Sequence, residues 1–197
     1  MDNRDTDYLD LNLPDSEIYY YPHFLNTDEA DRYFDILRTT APWQQDFITI
    51  YGKKHPQPRL TALFGDKPYS YSGLTMHPEP FNSELLDIKA KIEGATQLEF
   101  NTCLLNLYRN GKDSNGWHAD DETELGKNPA IASLSLGQER IFHLKHRYDK
   151  TLKHKILLEH GSLLLMQGST QHHWLHQIPK TAKPIKERIN LTFRVIR

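Results

Sequence analysis

The most regular alternation of hydrophobic and polar positions lies near the end of the chain, between residues 188 and 194. Successive side chains of a β-strand point to opposite sides, so Ile189, Leu191 and Phe193 would share one buried face. The opposite face would carry Arg188, Asn190, Thr192 and Arg194. Guanidinium groups inside a fold need partners, and their forked donors suit carboxylates. This strand therefore predicts a binding site for a small dicarboxylic acid.

The pattern before this strand predicts two helices and then a series of short strands. The first helix opens at Thr27, and the second runs from about Asn82 to Glu93 and ends at Gly94, because apolar residues recur at helical spacing in both. Strands are predicted at 47–51, 98–108, 131–136, 140–145, 155–159, 162–166, 172–178 and 188–196. This order favours an α+β fold, mainly β, built as an antiparallel sandwich or jelly roll with the N-terminal helices packed on one sheet.

Composition limits the class of protein. The 197 residues, with 38% hydrophobic and 11% aromatic positions, are enough for one folded domain. A single cysteine, Cys103, excludes an internal disulfide framework and suits a reducing compartment. No run of 18 apolar residues occurs, and the N-terminus is too acidic for a signal or transit peptide, so we expect a soluble, intracellular protein without a membrane partner, cytoplasmic if bacterial and nuclear if eukaryotic. We also expect a monomer.

Charge is distributed unevenly along the chain. Residues 1–31 hold nine acidic residues and one basic residue, and we expect residues 1–20 to form an acidic, loosely ordered arm before a single domain at 21–197. Residues 140–155 instead hold six Lys or Arg and only Asp149. These six are Arg140, Lys145, Arg147, Lys150, Lys153 and Lys155. The segment could be a solvated hairpin, or a basic edge that contacts a phosphate backbone.

A metal site is suggested by two short segments. His118 and Asp120 are two residues apart, which on an extended segment places both side chains on one face. The segment 171–176 offers three further histidines, and a strand there would favour His176 as the third ligand. Two histidines and one carboxylate form the ligand set of non-haem Fe(II) oxygenases.

Other roles for the late histidines stay open at this point. His172 and His176 could bind zinc as an i, i+4 pair, but this needs a helix between Gly168 and Pro179. No glutamate follows His172, so the metalloprotease pattern is not met. The histidines could also be partners of nearby polar groups.

Two residues on an earlier strand complete the predicted pocket. Asn106 and Tyr108 share a face just before the His-x-Asp segment. With Arg188 and Arg194, they would surround a metal with an amide, a phenol and two guanidinium groups. 2-Oxoglutarate is a dicarboxylate that can chelate iron at one end and pair with an arginine at the other.

The chain resembles the AlkB family of Fe(II)/2-oxoglutarate dioxygenases, and more narrowly its DNA-repair branch, similar to the human AlkB homologue 2. The resemblance covers roughly residues 20–197, through the motifs at 106–108, 118–122, 175–179 and 188–194. It implies a double-stranded β-helix in which His118, Asp120 and His176 are the metal ligands and the catalytic residues. It also implies that 2-oxoglutarate contacts Asn106, Tyr108, Arg188, Thr192 and Arg194, with Arg188 on the distal carboxylate.

The same resemblance suggests residues that hold the substrate. Tyr51, followed by Gly52 and Lys53, would be an aromatic finger that fills the gap left by a flipped base. The lesion pocket would be lined by Tyr69, Ser70 and Tyr71, with Tyr71 stacking the base against His118. Asp121 and Glu122 would contact the base or its surroundings. Ordinary core packing is the alternative role for the tyrosines.

The predicted function is therefore DNA repair by oxidative demethylation of N-alkylated bases such as 1-methyladenine and 3-methylcytosine. The cofactor is Fe(II), the co-substrates are 2-oxoglutarate and O2, and the products are formaldehyde, succinate and CO2. The expected partner is alkylated DNA, single- or double-stranded, or RNA. The alternatives are an AlkB-like demethylase of RNA or protein, a non-catalytic lesion-binding jelly roll, and a zinc-binding cupin, which has no need for Arg188 and Arg194.

Overall fold

The computed structural model describes residues 8–50, 53–67, 69–71 and 74–197, without the side chains of 49, 50, 69–71, 74 and 75. The helices are α1 (Thr27–Thr40), α2 (Ser83–Thr96) and α3 (Thr170–His173), with a 3-10 turn at Thr123–Leu125. The strands before α2 are β1 (Leu9–Asp10), β2 (Glu17–Tyr21), β3 (Phe47–Ile50), β4 (Lys53–Pro56), β5 (Leu60–Gly65), β6 (Tyr69–Tyr71) and β7 (Leu74–Met76). The strands after it are β8 (Thr102–Tyr108), β9 (Asn115–His118), β10 (Ile131–Gly137), β11 (Arg140–His146), β12 (Lys153–Leu158), β13 (Leu163–Gln167), β14 (Trp174–Ile178) and β15 (Arg188–Arg194).

The first helix begins where the sequence predicts, but its cap is one residue earlier. Asn26 accepts a hydrogen bond from the Glu29 backbone NH (2.9 Å), and the Glu29 carboxylate accepts one from the Asn26 NH. This reciprocal pair satisfies two backbone donors that the first turn leaves free. Buried Ala30, Tyr33 and Leu37 then form the apolar stripe of α1.

The second helix is longer than predicted, and its end at Gly94 is wrong. It continues to Thr96, and Gln97 takes the left-handed conformation (φ 57°) that closes it. A glycine lowers helix propensity by only about 1 kcal/mol, and the buried stripe of Leu85, Ile88 and Ile92 stabilises the helix through that position.

Two antiparallel sheets form the body of the fold. The larger sheet has seven strands in the order β1-β2-β13-β10-β15-β8-β5, and the smaller has four in the order β12-β11-β14-β9. Helices α1 and α2 pack on the outer face of the larger sheet, against residues that include Ile189, Leu191 and Phe193. This confirms the predicted inward and outward faces of β15 and the predicted helices on one sheet.

A second apolar cluster fills part of the space between the sheets. Leu104 and Leu164 come from the larger sheet, and Phe142, Leu144 and Trp174 come from the smaller. Polar side chains occupy the remaining space, because both sheets turn polar positions inward at one end. The predicted jelly roll is thus the observed architecture, and it places a polar cavity between two sheets.

Several predicted boundaries differ from the structure. The strand expected at 98–108 starts at Thr102, and the one expected at 188–196 ends at Arg194. The strand expected at 172–178 is wrong at its start, because α3 continues to His173 and β14 begins at Trp174. His172 therefore does not share a strand face with Trp174 and His176.

The described part of the N-terminal segment is not a loose arm. Strand β2 pairs with β13 over five positions, and Trp174 donates a hydrogen bond from Nε1 to the Pro14 carbonyl (2.8 Å). The predicted boundary at residue 20 therefore falls inside a strand of the larger sheet. Residues 1–7 lie outside the described residues. Within the described ranges, no helix is long and apolar enough to cross a membrane.

Candidate functional site

Three potential metal ligands converge between the sheets. His118 ends β9 and lies directly opposite His176 on β14, and Asp120 follows two residues after His118. One ligand atom from each lies within 4.8 Å of the others, and the two imidazole rings are 4.2 Å apart. The sequence-predicted set is therefore brought together, and it has the composition of a facial triad of two histidines and one carboxylate.

The segment around these ligands is fixed by contacts that the sequence did not indicate. Gln171, fully buried on α3, accepts a hydrogen bond from the Asp120 backbone NH at 2.9 Å. The ring of Phe142 stacks on His176 at 5.2 Å. The helical turn α3, whose last two residues were predicted as strand, thus positions the candidate carboxylate ligand.

The ionisation of the triad suits a divalent cation. Burial, and then the proximity of His118, lower the pKa of His176 to about 3. Burial also lowers the pKa of His118. Burial alone would raise the pKa of Asp120, but Arg194 and the two histidines outweigh it and lower that pKa. Two neutral imidazoles and one carboxylate are the forms that bind metal ions.

The alternative zinc pair of His172 and His176, which would need a helix, does not form. The helical turn ends at His173, and the Nε2 atom of His172 lies 2.8 Å from Asn128 Oδ1. His176 instead faces His118 from the neighbouring strand.

The predicted 2-oxoglutarate residues line the same cavity as the triad. In the large sheet Arg188 lies opposite Tyr108, and Asn190 lies opposite Asn106. The cavity has a volume of about 380 Å³, within the usual range for small-molecule sites. Its lining includes all eight residues predicted for metal and 2-oxoglutarate: Asn106, Tyr108, His118, Asp120, His176, Arg188, Thr192 and Arg194.

Arg188 lies at one end of this cavity as an uncompensated cation. It is 1% exposed, and its Nη2 donates to Ser135 Oγ at 2.9 Å. Its Nε and Nη1 atoms are buried without a hydrogen-bond acceptor among the described residues. Burial lowers its pKa to about 10, and the charge of Arg140 contributes in the same direction. A buried charge without a counterion is costly, so this end of the cavity fits a carboxylate ligand.

Arg194 lies at the metal end and is already paired. Its Nη2 donates to Asp120 Oδ1 at 2.6 Å, and both side chains are at least nine-tenths buried. It therefore stabilises the carboxylate form of a candidate metal ligand, a contact that the sequence prediction did not include.

A separate cluster of hydrogen-bonded side chains also lines the cavity and includes Arg59 and Ser133, which sequence reasoning missed. Buried Arg59 donates from Nε to Asn106 Oδ1 at 2.7 Å, and Asn190 donates to Ser133 Oγ at 2.8 Å. Thr192 donates to Asn190 Oδ1 at 3.0 Å. The alternation of β15 had already placed Asn190 on the polar face, but Arg59 stands just before β5 without any local pattern.

The predicted substrate residues are only partly described. Tyr51 and Gly52 lie outside the described residues, and of Tyr69, Ser70 and Tyr71 only the backbone pairing of β6 with β7 is described. Lys53 is exposed on β4. Asp121 and Glu122 line the cavity, and Asp121 forms an ion pair with Arg147.

The basic side chains of the predicted hairpin at 140–155 do not share one environment. Arg140 is buried and donates to the carbonyls of Asp113 (3.1 Å) and Pro179 (2.6 Å). Its role as a phosphate contact is therefore wrong. Arg147 is engaged with Asp121, whereas Lys145, Lys153 and Lys155 face away from the cavity.

Comparison with known proteins gives consistent results. The family model described as the 2OG-Fe(II) oxygenase superfamily matches residues 17–194. The chain is 43% identical over 190 residues to the alpha-ketoglutarate-dependent dioxygenase alkB homolog 3 of Bos taurus, covering 92% of this chain and 66% of that protein. It is 39% identical over 180 residues to the DNA oxidative demethylase ALKBH2 of Homo sapiens, covering 85% and 69%.

The chain thus spans about two thirds of the length of these curated relatives. Among solved structures, OsALKBH1 superposes with a TM-score of 0.69 at 18% identity, covering 96% of this chain and 100% of that one. At that identity the likeness concerns the fold alone.

Proposed function

Since this chain belongs to the 2OG-Fe(II) oxygenase superfamily, we propose that it repairs DNA by oxidative removal of N-linked methyl groups from bases. The observation that carries this proposal is one cavity that joins a two-histidine, one-carboxylate triad to an unpaired buried arginine. A relative named DNA oxidative demethylase ALKBH2, 39% identical, supports DNA as the substrate.

Family membership confirms several of the predictions made from the sequence. The AlkB resemblance, the mainly β jelly roll, and the cofactor set of Fe(II), 2-oxoglutarate and O2 all agree with it. The dioxygenase class of enzyme agrees as well. The roles of individual residues and the choice of substrate are proposals.

At the metal end, His118, Asp120 and His176 would hold Fe(II). Bound Fe(II), together with 2-oxoglutarate and O2, supplies an oxidant for a C–H bond while 2-oxoglutarate becomes succinate and CO2. The neutral histidines and the ionised aspartate give the donor set that such a cation requires. Arg194 keeps Asp120 ionised, and Gln171 fixes its backbone.

At the other end, Arg188 would bind the distal carboxylate of 2-oxoglutarate. Its Nε and Nη1 donors have no acceptor among the described residues and would each donate to a ligand oxygen, and Tyr108 lies beside the guanidinium at 5.2 Å from ring centre to Cζ. Asn106 and Thr192 would orient the middle of the co-substrate. Arg59 holds the Asn106 amide in place.

The methylated base would enter from the open side of the triad. The residues proposed for this role are Tyr51, Gly52, Lys53, Tyr69, Ser70, Tyr71, Asp121 and Glu122. The lesions 1-methyladenine and 3-methylcytosine carry positive charge, and the carboxylates of Asp121 and Glu122 line the cavity. Because the methyl group lies on the pairing edge, the base must leave the duplex, which costs less for a damaged pair.

A product assay tests the proposal. The protein with Fe(II), 2-oxoglutarate and O2 is incubated with oligonucleotides that carry 1-methyladenine or 3-methylcytosine, as single-stranded DNA, duplex DNA and RNA. We expect unmethylated oligonucleotide and formaldehyde in equal amounts from at least one DNA substrate. Faster turnover of the RNA arm would favour an RNA demethylase, and tight binding without formaldehyde would favour a lesion-binding protein.

A further inference from the structure

The outer face of the small sheet, which points away from the cavity, lacks acidic residues. The four strands β9, β11, β12 and β14 are all described, and none contains an aspartate or a glutamate. The chain as a whole has 24 Lys and Arg against 26 Asp and Glu, so this sheet differs sharply from the average. The inner face contributes Phe142, Leu158 and His176 to the cavity, which leaves the alternate residues pointing outward.

The outward residues combine lysines with exposed apolar side chains. Trp117 is 39% exposed, and Ile141 and Leu157, which are direct cross-strand partners, are 47% and 39% exposed. Beside them lie His143 opposite Lys155, and Lys145 opposite Lys153. We call this set the lysine–tryptophan face. Its lysines have no carboxylate partner among the described residues.

The aromatic and basic side chains of this face are in contact with one another. The Lys145 ammonium lies 4.3 Å from the centre of the Trp117 ring, and the His143 ring lies 6.4 Å from it. Burial, and then the charge of Lys155, lower the pKa of His143, which is consistent with uncompensated positive charge on this face. This cation–π contact holds the positive charge of Lys145 next to the Trp117 ring.

One edge of the lysine–tryptophan face lies beside the cavity. Trp117 directly precedes His118 on the edge strand β9, and the two side chains point to opposite sides of that strand. From β9 to β12 the face crosses three strand spacings, about 14 Å. A nucleic-acid strand whose reacting base enters the cavity could therefore continue past β9 onto the lysine–tryptophan face.

We propose that the lysine–tryptophan face binds single-stranded nucleic acid next to the reacting base, with one base stacked on Trp117 and phosphates on Lys145 and Lys155. The inference deepens the proposed function and rests on it for the position of the reacting base. Aromatic rings with cationic neighbours bind single strands because every unpaired base has a π-face. In a duplex those faces are covered by neighbouring bases, so the ring favours a single strand. The lack of acidic residues favours a polyanion over a protein partner of mixed charge.

A binding measurement on the intact protein tests the stacking contact. The protein, loaded with Fe(II) and 2-oxoglutarate without O2, is titrated into a fluorescent, unmethylated oligothymidylate of about ten nucleotides, within the usual site size. Trp117→Leu keeps an apolar side chain but removes the aromatic face, and we expect binding about tenfold weaker, typical of one lost stack. Trp117→Phe should restore most of the affinity. Equal affinity of wild type and Trp117→Leu, or equal losses in both variants, would overturn the proposal.

The salt dependence provides a second measurement that does not depend on replacing Trp117. Each phosphate contact to a single strand contributes about 0.7 to the slope of log affinity against log salt. Lys145→Ala and Lys155→Ala should each reduce that slope by about this amount. Lys89→Ala, on α2 at the other side of the molecule, is the matched control and should leave the slope unchanged. Slopes equal to that of wild type, or equally tight binding of a blunt duplex, would contradict the proposed face.

Turnover separates this inference from the proposed function. Trp117→Leu should still demethylate a free methylated nucleotide, which is too short to reach the face. If no methylated substrate reacts with the wild type but strand binding depends on Trp117, the proposed reaction fails and the binding face stands. If demethylation occurs but the affinity for single strands is unchanged by replacing Trp117, Lys145 or Lys155, the proposed binding face is wrong and the proposed reaction stands.

Discussion

Arg188 and Arg194 lie on the same face of strand β15, yet their electrostatic surroundings differ. Both are nearly fully buried, with 1% and 6% of each residue exposed. Arg194 is paired with Asp120 at 2.6 Å, whereas no carboxylate in the described part of the chain pairs with Arg188. One end of the cavity is thus neutralised by the protein itself, and the other keeps a positive charge for a ligand.

This difference shows how one strand can serve two purposes. At the candidate metal end, a buried ion pair with Arg194 holds the Asp120 carboxylate in its charged form. At the other end, the unpaired guanidinium of Arg188 lowers the stability of the ligand-free protein. A bound dicarboxylate would pair with it and raise that stability again. Four variants, ordered from the largest expected effect to the smallest, test this comparison.

The largest effect is expected from removing a metal ligand. His118→Ala should lower demethylation by more than about 100-fold, since changes in residues that only support metal ligands already cost 10- to 100-fold. The protein should remain folded by circular dichroism. His172→Ala is the matched control, because His172 contacts Asn128 outside the triad and should keep full activity. Formaldehyde release from His118→Ala near the wild-type rate would exclude this triad as the metal site.

The second effect concerns the unpaired arginine. Arg188→Met should weaken 2-oxoglutarate binding by at least about 30-fold, because a buried charge-assisted contact is lost. At the same time the free energy of unfolding of the ligand-free protein should stay equal or rise by about 1–4 kcal/mol, since a buried unpaired cation is removed.

The two readouts are an anaerobic titration of 2-oxoglutarate in the presence of Fe(II) and urea unfolding of the ligand-free protein. Arg32→Met, at an exposed position on α1, controls for the loss of a positive charge. Unchanged 2-oxoglutarate affinity in Arg188→Met would mean that the co-substrate binds elsewhere in the cavity.

The third variant, Arg194→Met, should lower the free energy of unfolding, whereas Arg188→Met should keep or raise it. Arg194→Met leaves Asp120 buried without its cation, and loss of one partner from a buried pair costs about 3–5 kcal/mol. Urea unfolding with a chelator present should show this loss. The double variant Arg194→Met/Asp120→Asn should recover part of it, because the uncompensated charge is then absent. If Arg188→Met and Arg194→Met change stability in the same direction, the two ends are not electrostatically different.

The smallest effect is expected at Arg59, which acts through Asn106. Arg59→Met should lower kcat/KM for 2-oxoglutarate by about tenfold, the lower range for a supporting residue. Asn106→Leu combined with Arg59→Met should cost little more than Asn106→Leu alone, because the two residues act through one contact. Additive losses would show that Arg59 contacts a ligand directly.

Much of the candidate site could be predicted from local patterns. The alternation of β15 correctly placed Arg188, Thr192 and Arg194 together, and the spacing of Asn106 and Tyr108 placed both in the same cavity. These predictions succeed because a strand has a fixed period of two, so sequence separation alone fixes the face.

Other features depended on contacts between distant segments. Gly94 was expected to end α2, but packing of Ile92 against the large sheet stabilises the helix beyond it. Gln171 was given no role by the sequence, but it lies on a helical turn and holds the backbone of Asp120. Arg140 was counted with exposed lysines, although its guanidinium is buried on two carbonyl groups.

The sequence by itself determined which side chains share a face, because that property depends only on the local period of the backbone. It thereby predicted the candidate ligand set, the two inward-facing arginines and the co-substrate class. Only the tertiary structure decided that Arg194 is paired and Arg188 is not, because this depends on where Asp120 lies, 74 positions away in the chain. Charge neutralisation acts over distances of a few ångströms in space, and the sequence does not specify those distances.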